Sequence, residues 1–248
     1  MSESLNGSSS AVVVILAGGF GTRIRHLLND IPKPMALTFG RPFLEWVIHY
    51  FRSQGIKRFV ISTGYRAEFI ESYFETNPVS GIELICIPES EPLGTAGGFL
   101  NAVTKSGFVS PLWLVANGDS LALTDVGYFL KTLKSSKTQA SILGLSVPDT
   151  SRYGTLDITS SCKLINFAEK RSGSGLINAG VYAFTSSALE SFPQVRPLSF
   201  ELDVFPSLLS ALSDISVVPV SAPFLDIGTP ASLKEAGQFI ESNLLFFN

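Results

Sequence analysis

The stretch with the clearest chemical meaning is Gly18-Gly19-Phe20-Gly21-Thr22-Arg23, which directly follows an apolar run at residues 11–17. Glycines carry no Cβ, so successive amide N–H groups can converge on a phosphate oxygen, and the planar guanidinium of Arg23 adds a fork of donors. Further along, Pro32-Lys33-Pro34 holds one lysine between two stiff residues, which restricts where its ammonium points. A glycine pair alone is as often a tight strand-to-helix turn, and a lysine between prolines is commonly a solvated loop residue. Together they point to a small polyanion. The loop is not a Walker loop, because no Gly-Lys-Ser/Thr follows. Nor is it a dinucleotide fingerprint, because Ile24 stands at the third glycine position and the Gly40-Arg41 region lies where an acidic residue would be needed.

For its amides to face a crevice, such a turn must sit at the carboxyl end of a strand. Residues 11–17 are β-branched in the middle and closed by glycines, the pattern of a buried parallel strand. Phe43, Trp46, Val47, Tyr50 and Gln54 predict a helix with one apolar stripe, ended by Gly55. Strands are expected at 58–63, 82–87, 112–116 and 141–147, and helices at 66–74, from Thr95, and through Val126, Phe129, Leu130 and Leu133. This alternation predicts an α/β fold with a mostly parallel sheet. Between residues 148 and 184 the rhythm changes to short, glycine-broken strands, read as a small antiparallel lobe on that core. A last helix through Leu233, Ala236, Gly237, Ile240 and Leu244 has Thr229 as its N-cap and Pro230 in its first turn. The apolar residues 244–247 either close over the core or meet another subunit, so a homo-oligomer stays open.

Composition removes other classes. Of 248 residues 45% are hydrophobic and 16% charged, with a net charge of -3, the reverse of a disordered chain. No apolar run approaches the ~20 residues of a membrane-spanning helix, so no membrane is expected. The pI of about 5.5 offers no basic stripe for nucleic acid. Cys86 and Cys162 suit neither a disulfide scaffold nor a zinc cluster and read as buried apolar residues in a reducing compartment. Residues 1–10 read as a disordered polar leader without an export signal, which implies a cytoplasmic location, and residues 11–248 as one domain.

Leu16-Ala17-Gly18-Gly19-Phe20-Gly21-Thr22-Arg23 followed by Pro32-Lys33-Pro34 closely resembles the signature of the nucleotidyltransferases that make nucleoside-diphosphate sugars, and the likeness runs from Val12 along essentially the whole chain. It implies a Rossmann-like three-layer sandwich with a mixed, mostly parallel central sheet and a small antiparallel sugar-binding lobe, the GT-A-like nucleotidyltransferase fold. The implied substrates are a nucleoside triphosphate and a sugar 1-phosphate, and the product would serve cell-surface polysaccharide synthesis. Arg23 and Lys33 take the catalytic positions. Leu16, Ala17, Gly18, Gly19, Gly21 and Thr22, with Glu89, Gly94, Thr95, Asn117 and Gly118, take nucleotide-binding ones. Asn117-Gly118-Asp119-Ser120 and Asp226-Ile227-Gly228-Thr229-Pro230 resemble the segments whose aspartates, here Asp119 and Asp226, bind the divalent cation. Phe167-Ala168-Glu169-Lys170 and Asn178-Ala179-Gly180-Val181-Tyr182 resemble the sugar-phosphate segments, so Glu169, Lys170 and Asn178, with Tyr153 and Gly154, are assigned to the sugar side. One departure stands at Leu202, where the family usually has lysine. At 248 residues the chain is expected to be used entirely by this one domain, without the additional domains that some relatives carry.

Each assignment has its own physical reason. The two substrates together bring about five to six negative charges into one cleft, whose repulsion must be offset. Mg²⁺ takes one or two carboxylates and completes its shell with water and phosphate oxygen, which suits Asp119 and Asp226. Asp226 by itself reads more readily as a helix cap than as a metal ligand, and Tyr153 equally as a packing residue or a sugar contact. His26 and His49 need no catalytic role. Base choice is expected from residues 88–98, where Glu89 or Glu91 could accept from guanine N1 and N2 unless both are merely solvated loop charges. Glu-Pro-Leu-Gly-Thr-Ala-Gly at 91–97 is similar to guanylyltransferases acting on mannose-type sugars. Lys33-Pro34-Met35-Ala36 and Gly40-Arg41-Pro42-Phe43-Leu44-Glu45 resemble the bacterial guanylyltransferases of D-glycero-D-manno-heptose 1-phosphate, with mannose 1-phosphate the runner-up.

Overall fold

The first strand is buried almost throughout, and its side chains alternate between two covered faces. In the computed structural model, which describes residues 10–136, 138–168, 172–211 and 214–248, β1 (Val12–Ala17) sends Val13 and Ile15 into one apolar cluster and Val12 and Val14 into another. A short hairpin of β2 (Leu37–Thr38) and β3 (Arg41–Pro42) leads into α1 (Phe43–Ser53). Then follow β4 (Arg58–Thr63), α2 (Ala67–Thr76), β5 (Glu83–Pro88), α3 (Thr95–Lys105), β6 (Leu112–Asn117), β7 (Ser120–Ala122), α4 (Val126–Ser136) and β8 (Ala140–Val147). The remainder comprises β9 (Thr155–Ile158), β10 (Leu164–Ala168), β11 (Gly175–Thr185), α5 (Phe205–Ser210), β12 (Ile215–Val220), β13 (Phe224–Asp226) and α6 (Pro230–Ser242).

The main sheet runs β10-β9-β11-β6-β1-β4-β5, with β8 also pairing β11 and β12. From their pairings β5, β4, β1, β6, β8 and β12 share one direction, and β11 runs against β6 and β8. Side chains of α1, α2, α4 and α6 cover the Val13 face, and those of α3 and α5 the Val12 face. This is the expected three-layer sandwich, and β9 and β10 with the start of β11 form the antiparallel lobe. Element bounds shift by a residue or two. Arg66, expected inside α2, precedes it in the left-handed region at φ 57°. Thr229 caps α6 as predicted, in a reciprocal pair with Ser232.

Three expectations are refined. Cys86 and Cys162 are free thiols only partly buried, because β5 lies at the sheet edge and Cys162 in a turn. Burial, with Glu71 and Glu75 adding, pushes the Cys86 thiol up to about 12 and keeps it unreactive. Of the apolar end, Phe247 closes over the core, buried edge-on against Trp46, and Ser53 Oγ donates to the Phe246 carbonyl at 2.6 Å, whereas Leu244 and Leu245 are exposed. Of the expected leader, residues 1–9 lie outside the described residues, whereas Ser10 is described and its carbonyl accepts from Arg58 and Ser110. No helix among the described residues is long and apolar enough to cross a membrane.

Glu45 on α1 is a buried carboxylate that fastens the hairpin and α2 to the core. It accepts from Arg41, from Tyr73 and from His49, the last at 3.3 Å, which gives His49 a structural place. Burial alone would raise its carboxyl, but these donors and the Arg41 charge outweigh it and hold it at about 2, against an ordinary 4.5. A folded-state value below the unfolded one adds stability that is complete above 4.5 and is lost as pH falls toward 2. Thermal unfolding between neutral pH and about pH 3 should show this loss, and Glu45→Gln should flatten it while destabilising the protein by about 1–3 kcal/mol at neutral pH. An unchanged pH slope in the variant would assign the acid sensitivity elsewhere.

Candidate functional site

The carboxyl ends of β1, β4, β5 and β6 open onto a cleft of about 660 Å³, at the point where strand order reverses on either side of β1. That is where open α/β sheets hold ligands, and the volume suits a nucleotide. Residues 16–24 form one wall, and among the described residues no partner takes the backbone amides of Gly19 through Arg23. Two lining residues escaped the sequence reading: Gly64 and Tyr65, in the loop after β4. A Cβ at Gly64 would sit 2.8 Å from the Gly18 carbonyl, so only glycine lets the two loops touch. Tyr65 donates its amide to that carbonyl and packs its ring 5.6 Å from Phe20. A glycine directly after the apolar strand Arg58–Thr63 was the available signal, the same one that marked Gly18.

The four residues expected to handle charge meet at one corner of the cleft. Lys33 stands in a helical turn set by its flanking prolines, only 7% exposed, with Nζ 2.6 Å from Asp119 Oδ2 and 3.5 Å from Asp226 Oδ1. Asp119 follows β6. Pairing of β7 with β13 sets Asp226 opposite Ser120, and the Asp119 carbonyl accepts from the Ile227 amide at 3.0 Å. Asp226 also accepts from the Gly228 amide at 2.7 Å. Arg23 reaches the same corner, its guanidinium 3.1 Å from where a Cβ on Gly228 would lie. Asn117 and Asp119 line the cleft, and Gly118 donates its amide to the Leu16 carbonyl, which locks β1 to β6 at their ends.

On the opposite wall Glu89 is held, not solvated. Its Oε1 accepts from Ser62 Oγ and its Oε2 from the Leu93 amide, each at 3.1 Å, leaving further lone pairs for a ligand. Glu91 also lines the cleft but is exposed. The start of α3 is engaged differently from a free anion-binding helix end: the amides of Ala96 and Gly97 donate to the Leu198 carbonyl, and Thr95 Oγ1 accepts from the Phe200 amide at 3.0 Å. Gly94 and Thr95 line the cleft, but the Thr95 hydroxyl serves a neighbouring segment. That segment, residues 198–204, was not assigned to the site from sequence.

The sugar-side residues are only partly brought to the centre. Tyr153 lies against Phe224 of β13, 5.7 Å between rings; burial chiefly raises its hydroxyl, with Asp226 adding and Arg152 and Arg23 opposing, which puts it within electrostatic reach of the charged corner. The Gly154 carbonyl accepts from the Asn178 amide at 3.1 Å. The Asn178 side chain is largely engaged: Oδ1 accepts from the Gly180 amide and Nδ2 donates to Tyr182. Glu169 and Lys170 lie outside the described residues. His26 is exposed beside the loop.

A glycine-rich turn at the switch point of a mostly parallel sheet, facing a buried lysine between two aspartates, defines an α/β protein that handles phosphoanhydrides. The chain belongs to the nucleotidyl transferase family, whose model matches residues 12–243. It is 34% identical over 224 residues to a D-glycero-alpha-D-manno-heptose 1-phosphate guanylyltransferase of Aneurinibacillus thermoaerophilus, covering 90% of this chain and 95% of that one. It is 33% identical over 221 residues to a mannose-1-phosphate guanylyltransferase of Mycobacterium tuberculosis, covering 88% of this chain and 61% of that one. Crystalline HddC from Yersinia pseudotuberculosis complexed with GMP-PN superposes with a TM-score of 0.81 at 36% identity, covering 92% of this chain and 98% of that one.

Proposed function

We propose that the protein transfers GMP from GTP to D-glycero-α-D-manno-heptose 1-phosphate, releasing pyrophosphate; mannose 1-phosphate, favoured by the 33% identical relative, is the second reading. The observation that carries it is likeness to a heptose 1-phosphate guanylyltransferase over nearly the full length of both chains, at a cleft whose base-side wall presents the fixed carboxylate Glu89. Glu89 would accept from guanine N1 and N2, a donor pair that uracil and thymine lack.

In this reading an oxygen of the sugar phosphate attacks the α-phosphorus in line, a new P–O bond forms, and the bond to the β-phosphate breaks with pyrophosphate leaving. The attacking oxygen is already ionised near neutral pH, so no general base is required. Catalysis is then positioning and charge stabilisation by Arg23, Lys33 and the amides of residues 19–23. The residues fit a magnesium ion: Lys33 already bridges Asp119 and Asp226 as a cation, and two carboxylates are the sparse hard-oxygen set that Mg²⁺ uses. When bound, the metal would offset phosphate charge.

Pyrophosphate release from a panel of nucleoside triphosphates and sugar 1-phosphates tests the reading. GTP with a manno-configured sugar 1-phosphate should be fastest, and Glu89→Gln should narrow the preference for GTP over UTP by about tenfold or more. UTP or dTTP surpassing GTP in the wild type would overturn the guanine assignment.

A further inference from the structure

The segment of residues 198–204 ties the nucleotide-side wall of the cleft to β11. On the nucleotide side its backbone is tied to α3 and the loop before it: the Leu198 carbonyl takes the Ala96 and Gly97 amides, the Leu198 amide donates to Leu93, and the Phe200 amide donates to Thr95 Oγ1. On the other side one side chain, Glu201, reaches β11. Its Oε1 accepts from the Tyr182 hydroxyl at 2.7 Å and from Asn178 Nδ2 at 3.4 Å, and its Oε2 accepts from Ser199 Oγ at 3.1 Å. The segment is a π-helical turn, Phe200–Val204, a rare geometry that recurs at functional sites.

What Glu201 holds is a joint in β11. Pairing with β8 breaks between Asn178 and Tyr182, where β11 passes from the small lobe into its pairing with β6. Asn178 Oδ1 accepts from the Gly180 amide at 2.9 Å, and Nδ2 donates to the Tyr182 hydroxyl at 2.7 Å. Gly180 itself, at φ 72°, lies so near the cleft residue Asn117 that a Cβ would meet Asn117 Nδ2 at 2.4 Å. The Gly180 amide can donate only to the oxygen of Asn178, so the amide orientation is determined, Asn178 donates to Tyr182, and Tyr182 donates to Glu201. The carboxylate is the acceptor that ends this chain. Tyr182 is wholly buried, and burial, reinforced by the Glu201 charge, holds its hydroxyl protonated as the donor.

We infer that Glu201 is a positioning residue that, through Tyr182 and Asn178, holds the sugar-side strand at the Gly180 joint in register with the nucleotide wall. The inference rests on the reading of the cleft as a sugar 1-phosphate site. Removing the carboxylate frees the joint while the backbone bonds from Leu198 and Phe200 to α3 remain, so the defect falls on one substrate.

The test is steady-state kinetics with GTP and D-glycero-α-D-manno-heptose 1-phosphate, together with thermal unfolding. Glu201→Ala should raise KM for the sugar phosphate by about tenfold or more, the loss of hydrogen bonds to a charged acceptor, with KM for GTP within about threefold. Glu201→Gln keeps an oxygen for Tyr182 and should stay within about threefold of wild type for both substrates. Tyr182→Phe, a milder change, should reproduce the same split if Glu201→Ala does not fold. Equal losses for both substrates, a lowered melting temperature without the split, or no change in sugar-phosphate KM would each overturn the inference. Should the wild type turn over no substrate pair, the functional reading has failed. Calorimetric binding of the heptose 1-phosphate and of GTP to wild type and Glu201→Ala then tests the inference separately: weaker binding of the heptose 1-phosphate alone supports it, and unchanged, equal or GTP-directed weakening refutes it.

Discussion

Asp119→Asn is expected to lower pyrophosphate release by about a thousandfold while leaving the fold intact. The fold depends on this residue through its backbone, whose carbonyl takes the Ile227 amide, and its side chain is one-third exposed at the end of β6. Asparagine preserves the shape and removes the charge. It presents a single neutral oxygen where a hard dication would need a carboxylate, and it leaves Lys33 with only Asp226. Asp226→Asn should behave alike, since its Oδ1 can still accept from the Gly228 amide. Two readings separate the causes: turnover at saturating substrates, and the rise in melting temperature on adding magnesium, which wild type should display and both variants lose. A chelator should reproduce the loss of turnover in wild type, reversed by magnesium. Near-wild-type rates in either variant would remove that aspartate from the site.

Lys33→Met tests whether the ammonium and a divalent ion share one place. At 2.6 and 3.5 Å from the two carboxylates the lysine neutralises a pair that would otherwise repel. Its loss should cut turnover by about a hundred- to a thousandfold, as for other preorganised charges facing a developing phosphate transition state. Without metal the variant should lose about 2 kcal/mol of stability, less than a fully buried pair would, because Asp119 keeps part of its hydration. Magnesium should then raise the melting temperature of Lys33→Met more than that of wild type, since the ion meets two carboxylates with no competing ammonium. An equal magnesium shift in both proteins would mean that lysine and metal occupy independent positions.

Much of the scaffold was readable because its signals are local. The β-branched apolar run of Val12 to Ile15, the apolar stripe of α1 and the Thr229 cap each depend on a few neighbouring residues. The glycine loop and the Lys33 turn were readable for the same reason, and both line the cleft. Thr95 and Asn178 were placed by motif alone, and there the structure differs in emphasis. The Thr95 hydroxyl accepts from Phe200, and the Asn178 amide is engaged by Gly180, Tyr182 and Glu201. Glu45 was noted only as part of a motif, because nothing in its neighbourhood discloses Tyr73 across the chain.

By itself the sequence determined the main alternation of strands and helices to residue 147 and the last helix, the turn that opens toward phosphate and the residue types that carry charge, since periodicity, glycine conformation and proline stiffness act within a turn or two. Only the tertiary structure decided which charges meet. Lys33 and Asp119 are 86 positions apart, and their contact exists because β6 pairs with β1 in one register and β13 with β7 in another. Ser62 reaches Glu89 because β4 and β5 lie side by side. Glu201 finds β11 because a cluster of phenylalanines, Phe99, Phe184, Phe200 and Phe205 among them, seats the segment around it between α3 and the sheet. Such partners follow from strand register and core packing, which depend on the whole chain at once.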